Sequence, residues 1–393
     1  MKFKGVDFYN LDELLSEEEK MTRNLVREFL EKEVEPLVTD AFHQEKPLNM
    51  EGLAPKFGEL GMIGAFIPKE YGGVGANYLL FGLISQEAER IDSAVGGFIR
   101  VQSGLIMYPI WQFGSEEQKQ KWLPLIARGE KTGCFGLTEP NRGSDIATME
   151  TVAKKDAGGW IINGTKQWIS DASIADLAVV WAQTEEGVRG FLVERGTEGF
   201  TQTFQNRKGS MRAGDVGELG FSDCKVPQEN MLPGAKGLRS TFSCLNQARY
   251  AISWGALGIA MDCYETALNY TKEREQFGAT IASYQLVQEK LVTMLIEITK
   301  GQLLAYRLGR LMDEGKARHV QISMAKKNNI AVARVCTRTA RELLGANGIS
   351  LDYSLMRHMV NVESVYTYQG TDDIHTLILG YEITGIPAFR RAL

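Results

Sequence analysis

The feature that most constrains this chain is a hydrophobic period that changes twice along its length. From Ser16 to about Gly129, apolar residues recur at helical intervals, as in Met21, Leu25, Phe29 and Val34, or Phe81, Leu83, Ile84 and Ala88. Between Cys134 and about Pro233 the pattern becomes short runs of branched and aromatic residues, such as Trp160-Ile161-Ile162, Leu177 to Trp181, Phe191-Leu192-Val193 and Gly217 to Phe221. Glycine and asparagine turns separate them. From Leu238 the helical period returns, with Val287, Leu291, Met294 and Ile298 on one face and a further helix from Ala331 to Leu344. Such a chain is neither one bundle nor one sandwich. It reads as an α+β fold in three parts: a helical domain over residues 1–133, a β domain over 134–240 and a four-helix bundle over 241–393. Punctuation agrees, since Ile67 to Gly75 reads as a loop and Asp92-Ser93-Ala94 as a helix start.

Bulk properties narrow the function. A net charge of -5 with 24% charged residues offers no basic excess for a phosphate backbone, so nucleic acid is not an expected partner. No run approaches the ~20 apolar residues of a membrane span, and Met1 to Lys4 lack a secretory apolar region, so a cytoplasmic location is expected. The 5 cysteines lack CxxC spacing and read as buried thiols, while the 4 histidines include no i, i+4 pair. No metal site is expected. A glycine-rich nucleotide loop after an early strand is also missing, so a doubly wound dinucleotide domain is not offered as an alternative.

Five ordered motifs carry more specific information. They are Phe135-Gly136-Leu137-Thr138-Glu139-Pro140 followed by Gly143-Ser144-Asp145; Asn163 to Lys166 leading to Trp168-Ile169-Ser170; Arg274-Glu275-Gln276-Phe277-Gly278; Leu344 to Ile349; and Tyr366 to His375. Together they resemble the acyl-CoA dehydrogenase superfamily, most closely its glutaryl-CoA dehydrogenases, over about Phe8 to Phe389. The resemblance implies the helical, β and helical order already read, a homotetramer, FAD as cofactor and an electron-transfer flavoprotein as acceptor. It places Phe135, Leu137, Thr138, Gly143, Ser144, Trp168 and Ser170 against the flavin. Arg274, Gln276 and Phe277 are placed at a neighbouring subunit's cofactor, Glu342 and Leu343 at the adenosine end, and Thr371 and Asp373 beside the dinucleotide. Read without the motif, Trp168 would be a core residue and Arg274 a solvated one.

The same resemblance assigns the α-proton base to position 369, where this chain has Gln369. A carboxamide is essentially non-basic, and a positioned base is worth roughly 10²–10⁴ in rate. The backbone N–H of Gln369 remains available to polarise a thioester carbonyl. The other place where relatives carry the base is Ala248 here, and Asp372, three residues along, is the remaining nearby carboxylate. On the substrate side, Glu89 matches, whereas the arginine that meets a distal carboxylate falls on Gly96; Arg100 offers a displaced charge on the same helical face, with a solvent-facing arginine as the alternative. Asn246 and Arg249 match residues at the CoA part, Ser144 also faces the substrate, and Tyr368 borders the acyl slot.

Three readings stay open. The chain is a slow variant of an ordinary dehydrogenase acting on acyl-CoA or a carrier-protein thioester. Or it runs redox-neutral carbanion chemistry on such a thioester, small-ring closure for example. Or it is a non-catalytic FAD-binding module.

Overall fold

Capping residues fix where the helices begin. Ser16 Oγ accepts the Glu19 N–H at 3.2 Å while the Glu19 carboxylate accepts the Ser16 N–H at 2.8 Å, a reciprocal cap that starts α1 (Glu17–Phe29). The computed structural model describes residues 6–388; Met1 to Lys4 and Phe389, used above, lie outside them. After α1 follow α2 (Glu35–Gln44), α3 (Met50–Glu59), α4 (Tyr78–Ile91), α5 (Ser93–Arg100), α6 (Tyr108–Phe113) and α7 (Glu116–Ala127). The expected loop between Ile67 and Gly75 holds one short 3-10 turn, Lys69–Tyr71, and Asp92 caps α5 through the Ala94 N–H at 2.7 Å. Past Arg100 the helix continues as a π-helical stretch, Val101–Met107, whose residues are all buried.

The β region is a single 7-stranded sheet. Its strands are β1 (Gly133–Gly136), β2 (Val152–Asp156), β3 (Gly159–Ser170), β4 (Leu177–Thr184), β5 (Gly187–Glu194), β6 (Phe200–Gln202) and β7 (Val216–Pro227), in the order β1-β4-β2-β3-β7-β6 with β5 on β4. The long antiparallel pair β3 and β7 slips register twice, between Ile162 and Gly164 and between Gln167 and Ile169. The second slip is a bulge that turns Trp168 out of the ladder.

Helices return with α8 (Gly237–Glu273), and after the hairpin β8 (Glu275–Gln276) and β9 (Ala279–Thr280) come α9 (Gln285–Asp313), α10 (His319–Leu343), α11 (Leu355–Thr367) and α12 (Asp372–Thr384). The 37-residue α8 joins the two helical regions. A β-carbon on its Gly258 would stand 2.0 Å from the Gln86 carbonyl oxygen, so α8 and α4 meet backbone to backbone. No helix among the described residues is long and apolar enough to cross a membrane.

Two sequence expectations are corrected. Of the expected stripe Val34 is fully buried, but Met21 and Leu25 are 70% and 53% exposed, because the inward face along α1 and the π-helical turn after it, Leu30–Val34, is carried by Val26, Leu30 and Val34. Both stripes have helical spacing, so periodicity alone cannot choose between them. The helix expected from Ala331 begins at His319, twelve residues earlier by number, since its first turns are polar in sequence yet partly buried. Leu30→Ala is expected to lower stability by about 2–5 kcal/mol, whereas Leu25→Ala should stay within about 0.5 kcal/mol; urea unfolding midpoints measure both.

Candidate functional site

The turn between α11 and α12 organises the site. Gln369 and Gly370 both adopt left-handed backbone conformations, with φ of +57° and +94°, a strained choice for glutamine that something must hold. Two buried cations hold it. Arg249 of α8 donates from Nε to the Gln369 carbonyl at 2.8 Å, and Lys326 of α10 donates from Nζ to the Tyr368 and Gly370 carbonyls at 2.8 and 2.7 Å. Position 370 must be glycine for a second reason: a β-carbon there would lie 3.1 Å from both Arg249 Nη2 and His375 Nε2. On the far side, Thr371 Oγ1 caps α12 by accepting the Ile374 N–H at 3.2 Å.

With its carbonyls drawn inward, the turn keeps free donors. The N–H groups of Gln369 and Gly370 hydrogen-bond nothing among the described residues, and Gln369 Oε1 is buried without a partner. Burial pushes the Arg249 guanidinium down to about 10, with no carboxylate opposing the shift. Lys326 is pushed well below its ordinary value by burial and by the charges of Arg249 and Arg100. His375, pushed down to about 3 by burial and then by Lys326 and Arg249, is held neutral beneath the turn. Asp372 is tied to Lys327 instead of facing Gln369.

Arg100 is buried, which excludes a solvent-facing arginine. Its Nη1 lies 2.7 Å from Glu89 Oε1, its Nη2 donates to the Tyr368 hydroxyl at 3.0 Å, and its guanidinium stands 4.9 Å from the Tyr368 ring centre. Burial works against the arginine's charge, and Tyr368 and Glu89 more than offset it, leaving it raised. Arg100 Nε and Glu89 Oε2 remain without partners. Gly96 explains why the arginine sits here, since a β-carbon at 96 would stand 2.3 Å from Glu89 Cγ. The Glu89 side chain fills the space that a residue at 96 would need.

A second group of expected residues lies at the C-terminal end of β3 and in the loop after β1. Trp168 is 57% exposed with φ of +60°, so it is no core residue. The loop after β1 is fixed by a buried pair: Lys166 Nζ donates to Glu139 Oε1 at 2.8 Å and to the Leu137 carbonyl at 3.1 Å, while the Glu139 carboxylate accepts the Thr151 N–H at 2.9 Å. Burial raises the Glu139 carboxyl, but Lys166 and the backbone donors outweigh it, leaving it ionised. The Gln167 N–H donates to the Thr138 carbonyl at 2.8 Å, which sets that loop beside Trp168. Phe135 and Leu137 are buried, Phe135 with its ring centre 6.2 Å from that of Trp181, so their side chains pack and only their backbone can face a ligand. Gly143 and Ser144 are exposed, and no side-chain hydrogen bond engages Thr138, Ser144 or Ser170 among the described residues.

The remaining expected residues divide. Arg274, Gln276 and Phe277 project from the β8–β9 hairpin, Phe277 being 96% exposed, and Asp373 is exposed at the start of α12. Glu342 pairs with Lys290 at 3.1 Å, and Leu343 is buried in the C-terminal core, so neither is free. Asn246 Oδ1 is buried and unpartnered on α8, and Arg249, one turn on, is buried under the Gln369 turn. Sequence reading missed Lys326, Glu139, Lys166 and the role of His375. Only Lys166, a charged residue with Trp168 and Ile169 close by on β3, carried a local signal.

Two outcomes follow. Lys166→Met leaves the Glu139 charge buried and unpaired and is expected to cost about 3–5 kcal/mol in chemical unfolding. His375 has a folded-state pKa below its unfolded one, so its contribution is complete above about 6.5 and is lost as pH falls toward about 3. Wild-type stability should therefore drop between those values, and His375→Gln should flatten the drop in urea midpoints measured across pH.

Comparison with known proteins places this geometry. The sequence profiles of the acyl-CoA dehydrogenase N-terminal, middle and C-terminal domains match residues 16–130, 134–224 and 235–384. The mitochondrial short-chain specific acyl-CoA dehydrogenase of Mus musculus is 33% identical over 377 residues, 93% of this chain and 90% of that protein. A crystal structure of glutaryl-CoA dehydrogenase from Mycobacterium smegmatis superposes with a TM-score of 0.97 at 45% identity, covering 99% of this chain and 100% of that one. A crystal structure of a glutaryl-CoA dehydrogenase from Mycobacterium smegmatis in complex with FADH2 matches with a TM-score of 0.97 at 44% identity, covering 99% of this chain and 100% of that one. Three profiles in sequence order and a full-length superposition leave one conclusion: the chain belongs to the acyl-CoA dehydrogenase family.

Proposed function

We propose that this protein is an FAD-dependent oxidoreductase of the acyl-CoA dehydrogenase type, acting on an acyl thioester, in which residue 369 holds the base position with an amide. One observation carries the reading: the Gln369 turn offers free N–H groups and an uncommitted carboxamide, held by buried Arg249 and Lys326 in a conformation that glutamine alone disfavours.

The donor set fits the cofactor. Thr138, Ser144 and Ser170 bring uncommitted hydroxyls to the end of β3, where Trp168 presents an exposed aromatic face. The FADH2 complex of the matching enzyme supports the same assignment. Bound FAD supplies the hydride acceptor that no side chain provides. Phe277, Gln276 and Arg274 are proposed to reach the cofactor of a neighbouring copy in a homotetramer, a use that suits a phenylalanine 96% exposed at a hairpin tip. An electron-transfer flavoprotein is the proposed acceptor, and the thioester is attached to CoA or to a carrier protein.

The chain's own residues then do two things. The Gln369 N–H points a donor at the thioester carbonyl, stabilising negative charge as it develops on that oxygen. Tyr368, with Arg100 and Glu89 behind it, closes the acyl slot and keeps water from its far end. Gln369 cannot accept the α-proton, so ordinary dehydrogenation is impaired, and redox-neutral carbanion chemistry is the second reading, favoured by that same amide. Anaerobic mixing with saturated acyl-CoAs tests this. Gln369→Glu should speed flavin bleaching by roughly 10²–10⁴ over the chain as it stands. Bleaching equally fast in both would refute the assignment of position 369.

A further inference from the structure

We propose that the thioester taken by this site carries a second carboxylate on its α-carbon, held by Arg249 and Gln369, and that loss of CO2 replaces proton removal as the route to the enolate. The inference rests on the reading of position 369 as the base position, where the side chain faces the α-carbon.

The argument is one of unmatched charge. Arg249 is 6% exposed, forms no ion pair among the described residues, and is hydrogen-bonded only through Nε. A guanidinium buried without an anion is costly, and a site that keeps one is built for an anion to arrive. Lys326 spends two hydrogen bonds on the turn's carbonyls, which leaves the Nη groups of Arg249 as free donors beside residue 369 among the described residues. The nearby carboxylates are already matched, Glu89 by Arg100 and Asp372 by Lys327. A glutamate at 369 would have supplied the missing negative charge; the amide supplies a neutral donor and acceptor instead. Its Oε1 is buried and unpartnered, and turning the amide presents Nε2 to a carboxylate.

An α-carboxylate fills that place and solves the chemical problem of the missing base. When the bond between the α-carbon and the carboxylate breaks, its electron pair passes into the thioester to form the enolate, and CO2 departs. No proton is removed from carbon, so no basic side chain is required. The charge that began on the carboxylate ends on the thioester oxygen, within reach of the Gln369 N–H. The product is the decarboxylated, saturated acyl thioester, formed when the α-carbon of the enolate takes a proton from water. At the far end of the slot the Glu89–Arg100 pair is charge-balanced, which suits an uncharged acyl tail and not a distal carboxylate.

The test compares ethylmalonyl-CoA with butyryl-CoA on the FAD-loaded protein and on Gln369→Glu, whose fold is checked by its flavin absorbance. Calorimetry is expected to show ethylmalonyl-CoA binding at least tenfold more tightly than butyryl-CoA, and trapping of labelled CO2 should show its release. Gln369→Glu sets a second carboxylate against the first. It should weaken ethylmalonyl-CoA binding at least tenfold while starting α-hydrogen exchange of butyryl-CoA with D2O. Equal affinities with no CO2 released would overturn the inference while leaving the family-type reading intact. Failure of FAD and of both thioesters to bind would overturn that reading itself.

Discussion

Three backbone carbonyls turned toward two buried cations are the interaction on which the rest of this molecule depends. Without Arg249 and Lys326, the turn at Tyr368 to Gly370 would have no reason to hold glutamine in a left-handed conformation. The cations come from α8 and α10, two of the long helices of the C-terminal region, so the geometry of the turn is set by the packing of the bundle. A site carried on rigid helices holds its groups more closely than one carried on loops. Burial costs those groups solvation, and the protein recovers part of it through carbonyl dipoles; the Asp372 carboxylate, itself paired with Lys327, also favours the charge on Lys326, while none opposes burial at Arg249. That choice leaves the surroundings of residue 369 electropositive.

The end of β3 and the loop after β1 follow a different rule. There the organising element is a fully paired ion couple, Glu139 with Lys166, surrounded by backbone donors and an additional carbonyl. A satisfied pair of this kind shapes a loop without projecting net charge. The result is a molecule with one electrically quiet wall, where hydroxyls and an indole face outward, and one charged wall around the turn. The first suits recognition of a polar aromatic ring system, the second the management of a developing anion.

Much of the fold was legible because period and punctuation agree with it. The double switch from helix to strand and back survives in the structure, as do the loop near Gly72 and the cap at Asp92. What sequence could not decide was which apolar stripe turns inward along α1 and the turn that follows it, since Met21 and Leu25 are spaced as well as Val26 and Leu30. Nor could it place the start of α10, where Lys326 and Asn329 look solvated by type but are buried, Asn329 donating to the Ser253 carbonyl at 2.7 Å. Motif likeness located the turn, Trp168 and the β8–β9 hairpin. It could not show that Arg100 is buried against Glu89 or that Arg249 serves the turn, because the first depends on how α4 and α5 pack and the second on a contact between residues far apart in the chain.

Gly96 and Glu89 occupy one volume between them, a β-carbon on the first standing 2.3 Å from Cγ of the second. The two positions are therefore coupled. Any side chain at position 96 requires the one at 89 to shrink or swing aside, and removing the Glu89 carboxylate strands Arg100 as a lone charge in the interior. Substitutions at 89, 96 and 100 consequently act as one unit, and their effects on the acyl slot will not add.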